Sequence, residues 1–163
     1  MIALQMEHVR DFMNKLLLTP VFDDFLVSES TITTFTTFTI EGQLRREFYA
    51  PDEFPEGMNP ESSQVTWAMI RPFCLQIFKG KRLPLSFRIV LQLSAAKTAV
   101  LLEENDLNIA PEDIFGLFLN IQYRGGTLTL TTGSSLRVFS MDRSLDQAWD
   151  RSLKEFLAAS GLE

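Results

Sequence analysis

One histidine, one cysteine and a scatter of carboxylates are the residues with which this sequence could do chemistry, and their spacing supplies little. His8 stands at the start of a helical stretch. A general base there would need a nucleophile or carboxylate beside it, and no local motif brings one. A surface or packing role is the plain reading. Cys74 falls on an apolar stripe with Ile70, Ile77 and Phe78, so it reads as core filler. A reactive thiolate would need exposure and a nearby cation, for which Arg71 is the local candidate. With one Cys and one His, thiolate–imidazole zinc sites are excluded. Asp52, Glu53, Glu56 and Glu61 crowd one loop, but without the Asp-x-Asp-x-Asp-Gly spacing that wraps calcium, so a solvated loop is expected. The glycines at 42, 80, 116, 125, 126 and 133 read as turns or caps; none forms a phosphate loop, a dinucleotide fingerprint or a nucleophile elbow. The sequence therefore assigns no catalytic residue, no metal ligand and no cofactor.

The sharpest charge feature is basic: Arg71, Lys79, Lys81, Arg82 and Arg88. Lys79-Gly80-Lys81-Arg82 closes a helix, where cations stabilise the exposed carbonyls by about 0.3–1 kcal/mol. An anion or an acidic partner is the functional reading of the same residues. The equivalent end of the last helix, Ala159-Ser160-Gly161, carries no charge, so such a patch would be one-sided. Thr31, Thr33, Thr37 and Thr39, with Thr127, Thr129 and Thr131, are expected on one polar sheet face, although threonine suits strands for its own steric reasons.

The elements that must position these residues follow from periodicity. Ile2–Met6 reads as a strand, and Val9, Phe12, Met13, Leu16 and Leu17 form one helical stripe that Thr19-Pro20 ends. Strands are expected at Phe25–Thr31, Phe35–Glu41 and, after a turn at Gly42, Gln43–Tyr49. Ser62 is a candidate N-cap for a helix through Trp67, Cys74 and Phe78, kinked or broken near Pro72 and stopped at Gly80. Leu85, Phe87, Ile89, Leu91 and Leu93 alternate as in a half-buried strand. Ser94 opens a short helix. Arg124-Gly125-Gly126 joins two strands as a hairpin. A turn at Gly133-Ser134 leads to a strand over Ser135–Met141, and Ser144 with Gln147 makes a capping box for the final helix.

This order reads as β-α-β-β-β-α twice, giving an α+β fold of two tandem halves, 1–82 and 83–163, forming one compact unit. Short matches support the repeat: Ile2–Met6 with Ile89–Leu93, Leu44-Arg45 with Leu136-Arg137, and Ser62 and Trp67 with Ser144 and Trp149. The order comes near that of sliding-clamp domains and of TATA-binding-protein-like folds, analogies that carry no function by themselves. A further resemblance lies in Phe22-Asp23-Asp24-Phe25, Ile32–Ile40, Arg71-Pro72-Phe73-Cys74, Lys79–Arg82 and Thr131-Thr132-Gly133. These stretches resemble a family of short bacterial proteins of clostridial type, a domain of unknown function. That resemblance implies no activity, ligand or catalytic residue.

The 163 residues carry a net charge of −6. The acidity is even: eleven acidic against eight basic side chains up to Arg82, and ten against seven after it. A field of this sign opposes nucleic acid and anionic lipid. The sequence has no span of membrane length, and its single cysteine makes the cytoplasm the expected compartment. A non-enzymatic protein-interaction or self-assembly module, as a homo-oligomer or with a protein partner, is the leading expectation. A nucleic-acid-associated protein using the basic cluster, and a small-molecule binder or enzyme with an oxygen-rich pocket, are the alternatives.

Overall fold

A computed structural model describes residues 1–54, 62–80 and 82–162. The chain runs through β1 (Ala3–Met6), α1 (Val9–Leu18), β2 (Leu26–Thr33), β3 (Thr37–Glu41), α2 (Trp67–Phe78), β4 (Ser86–Gln92), α3 (Ala95–Glu104), β5 (Ile114–Arg124), β6 (Thr127–Leu136) and α4 (Ser144–Ala159). The six strands form one antiparallel sheet in the order β1-β6-β5-β4-β2-β3. The fold is α+β.

Alternation decides which face of the sheet the helices cover. Phe87, Ile89 and Leu91 of β4 are buried, as are their register partners Ile121 and Leu119 on β5 and Leu128 and Leu130 on β6. The helices contribute Phe12, Leu16, Trp67, Cys74, Leu102, Trp149 and Leu153 to the same core. Both indoles are anchored. Trp67 donates to the Leu16 carbonyl at 2.9 Å and Trp149 to the Phe118 carbonyl at 3.0 Å, so each large ring is buried without an orphaned donor. A bulge at Ser28, where the β2–β4 register shifts between Val27 and Glu29, keeps Val27, Ser30 and Ile32 on the core side.

The opposite face holds the threonines. Thr39, Thr31, Arg88, Gln122, Thr129 and Gln5 lie in one rung across the sheet, with Thr37, Thr33, Ser86, Arg124 and Thr127 in a neighbouring rung. Val90 on this face is buried but stands apart from the main core.

Several expected elements differ. Gln43–Tyr49 is not a strand: Gln43 makes an isolated bridge to Gln64 and Arg46–Phe48 is a single 3-10 turn. The segment beside β2 comes instead from Val65, whose carbonyl accepts from the Val27 N–H at 2.9 Å. Ser62 does not cap α2. Its hydroxyl donates to the Gln64 carbonyl, and Thr66 occupies the cap position. The helix continues through Pro72, whose ring is exposed, so the missing donor leaves no break.

Gly133-Ser134 is not a turn, because β6 runs on to Leu136, paired with Ile114, and no strand covers 137–141. Ser144 is the first residue of α4, not its cap: its backbone N–H and hydroxyl both donate to Asp142 Oδ1. Among the described residues each of the two expected halves therefore shows the order β-α-β-β-α, one strand fewer than expected. The pairing does not follow the order: β4 joins both β5 and β2, whereas β1 joins β6 alone.

Candidate functional site

Of the five basic residues singled out in the sequence, the four that are described do not converge. Arg71, on the second turn of α2, forms a fork with the carboxylate of Asp23: Nε donates to Oδ1 at 2.8 Å and an NH2 group to Oδ2 at 3.0 Å. Asp23 belongs to the α1–β2 connection, and its carbonyl also accepts from the Ala68 N–H. This arginine ties α2 to that connection. Arg88 projects from the polar sheet face, donating to Glu29 Oε1 at 2.7 Å and Asn120 Oδ1 at 3.2 Å. Lys79 and Arg82 remain together at the C-terminal end of α2, both exposed. Lys81 lies outside the described residues.

Lys79 stands at a corner between two recesses. The first, about 460 Å³, is bounded by α1, the end of α2, Leu83-Pro84, Phe87 and Tyr123. An aromatic chain underlies it: Phe78 meets Phe87 edge-on at 5.1 Å, and Phe87 stacks on Tyr123 at 5.4 Å. Arg10 and Asn14 on the exposed side of α1 supply the other polar edge. The second recess, about 790 Å³, lies between Phe35 and Phe38 of the β2–β3 hairpin, the end of α2, and Arg82, Leu83 and Leu85. Lys79 and Leu83 line both.

Large apolar side chains stand exposed here. Phe35 is 92% exposed, Leu83 81% and Leu85 71%. Twenty-one of the 163 residues are acidic, yet no Asp or Glu lines either recess among the described residues. Arg10, Lys79 and Arg82 enter no ion pair among those residues either. Among the described residues the corner thus offers apolar surface edged by cations, with no carboxylate, thiol or imidazole in its lining.

The remaining candidates sit elsewhere. Cys74 is buried, and desolvation pushes its thiol from the ordinary 9.0 up to about 11, with the neighbouring Ser30 hydroxyl opposing part of the rise. Ser30 is itself fully buried, and its hydroxyl has no partner of ordinary hydrogen-bond geometry among the described residues; the thiol is the polar group beside it. His8 is exposed at the start of α1 and its side chain caps nothing. Asp52 and Glu53 are exposed, while Glu56 and Glu61 lie outside the described residues. Among the described residues no group of three His, Cys, Asp or Glu is placed to hold a metal ion.

Sequence reasoning reached Lys79 and Arg82 but missed Arg10, Phe35 and Leu83. The available signal was Leu83-Pro84-Leu85, an apolar triplet following directly on the basic run. Residues 15–163 match DUF5721, a family of unknown function. The chain belongs to this family. No curated protein and no solved structure matches the DUF5721 chain. Among its described residues no helix is long and apolar enough to cross a membrane.

Proposed function

We propose that this DUF5721 protein is a non-enzymatic interaction module whose docking surface is the corner around Lys79 and Leu83. Its occupant is an apolar protein segment carrying acidic side chains. The observation that carries this reading is the acid-free lining of two adjoining apolar recesses, edged by Arg10, Lys79 and Arg82, on a chain of net charge −6. Exposed aromatic and aliphatic anchors supply contact area, and the cations select an acidic partner and steer its approach.

Binding to nucleic acid has less support. Arg71 and Arg88, which a basic track would need, are engaged by Asp23 and Glu29. The polar sheet face carries Glu29 and Glu41 in one rung, which a phosphate backbone would oppose. An oxygen-rich catalytic pocket has no support in either recess. A single cysteine held as a free, buried thiol accords with a reducing compartment, and the cytoplasm is part of the proposal.

Anilinonaphthalene sulfonate, an apolar anion, is a direct probe of such a surface. Its fluorescence should rise saturably with the native protein. Lys79→Glu and Leu83→Glu should each weaken binding at least about tenfold, as expected for losing a charge partner or an anchor. Val100→Glu, at the separate cleft between α3 and α4, should leave it unchanged. Binding indifferent to both corner variants would overturn the proposal.

A further inference from the structure

The end of the sheet remote from the corner carries the complementary surface. The connection from β6 to α4 exposes Val138, Phe139 and Met141 by 60%, 92% and 85%, three large apolar side chains within four positions. Arg137 and Arg143 bracket it, and the chain that reaches it is acidic. Glu103, Glu104, Asp106, Glu112 and Asp113 follow one another with no Lys or Arg between them, and the end of this stretch is held to the connection, where the Glu112 carbonyl accepts from Arg137 Nε and the Asp113 carbonyl from the Arg137 N–H. Asp142, whose carboxyl is lowered by hydrogen bonds from Ser144, keeps its charge next to Met141.

The two surfaces cannot meet within one molecule. The connection leaves β6 at Leu136, opposite Ile114 at the start of β5, whereas Tyr123 of the first recess is near the other end of that strand. The separation is about 30 Å at roughly 3.4 Å per residue. An apolar projection beside an acidic stretch at one end and an apolar, cation-edged recess at the other fit only between molecules.

We infer that the occupant of the corner is the Val138–Met141 connection of a second copy of this chain, in a head-to-tail contact. This rests on the corner being a docking surface. Phe139 enters an apolar recess, and the Glu103–Asp113 stretch comes to face Arg10, Lys79 and Arg82. Such a contact joins unlike surfaces, so each bound pair leaves one projection and one recess free. The products are an open series, or a ring if the rotation closes. The opposed charges make the contact sensitive to salt, weakening as ionic strength shortens the screening length.

Light scattering after size exclusion, on the intact chain and two variants, tests this. The wild-type mass should climb with concentration above 18.6 kDa up to about 100 μM, a concentration that populates any contact of micromolar affinity. Leu83→Asp spoils the recess and keeps the projection; Phe139→Asp does the reverse. Both side chains are exposed, so neither change disturbs the core. Each variant alone should stay at 18.6 kDa, and an equimolar mixture should form a species of twice that mass and no larger. A monomeric wild type, variants that still assemble alone, or a mixture that stays monomeric would each overturn the inference. Dye binding separates the two readings: if it remains sensitive to Lys79 and Leu83 while the wild type is monomeric, self-docking falls and the corner stands.

Discussion

Replacing Arg71 by Gln separates a structural cation from a binding one. Arg71 and Asp23 are 25% and 16% exposed, between the exposed pairs worth about 0–1 kcal/mol and the buried ones whose disruption costs about 3–5. Both guanidinium–carboxylate bonds are short and parallel, which favours the upper part of that interval. Asp23 would be left half-buried and unpaired, with its backbone still holding Ala68. A loss of about 2 kcal/mol follows. With a urea dependence of about 2 kcal/mol per molar, the unfolding midpoint should fall by about 1 M. Asp23→Asn alone should cost a similar amount, and the double variant should cost clearly less than the two together. Dye binding at the corner should not change in any of the three. An unchanged midpoint combined with weakened dye binding would refute the argument and return Arg71 to the binding surface.

Gly42→Ala should be among the most damaging small substitutions. A Cβ there would lie 1.7 Å from the Val27 carbonyl oxygen and 2.9 Å from that of Ser28, both backbone atoms, so Gly42 would have to abandon its bonds to Ser28 and Val65. A loss of about 3 kcal/mol, seen as a fall of about 6–12 °C in Tm, is expected; a shift under about 2 °C would show that the backbone yields easily. The Cys74 thiol should resist a thiol reagent in the native protein at pH 8 and react on unfolding, because its folded value of about 11 exceeds the ordinary 9.0. A raised folded value favours the neutral thiol, so its contribution is complete below pH 9 and lost as pH rises through 11. Wild type should lose about 3 kcal/mol more stability over that window than Cys74→Ala, as measured by urea unfolding at each pH. Parallel pH profiles would refute this.

The residues that set local conformation were legible in the sequence. Thr19-Pro20, Ser94, Gly125-Gly126 and Gly161 end or begin elements through their own backbone preferences, and they do so here: Gly125 and Gly126 have φ of 59° and 81°, and Ser94 Oγ accepts from the Lys97 N–H. The alternation of Phe87, Ile89 and Leu91 likewise placed the core face of β4 correctly. What failed depended on distant partners. Gly133 resembles a turn glycine locally, but pairing with Phe118 carries β6 straight through it. Gln43–Tyr49 has the composition of a strand, yet among the described residues β3 pairs with β2 alone and Arg46–Phe48 forms a 3-10 turn.

The candidate site divided in the same way. A run of Lys and Arg is visible in sequence, but only the tertiary fold shows that Asp23 takes Arg71 and Glu29 takes Arg88. The recesses were invisible because they join residues from α1, the β2–β3 hairpin and the approach to β4, which share no motif. The expected order held only in part, since a third consecutive strand was expected in each half, and the unequal pairing of β1 and β4 was not legible, because nothing within either strand specifies its neighbour.

The most direct measurement is an amide chemical-shift map of the isotope-labelled protein titrated with anilinonaphthalene sulfonate. The shifts should gather on Arg10–Leu18 of α1, Leu75–Lys79 of α2, Leu83–Phe87 and the Phe35 hairpin, and should saturate together. Shifts confined to the threonine face, or to the cleft between α3 and α4, would contradict the assignment of the corner as the docking surface.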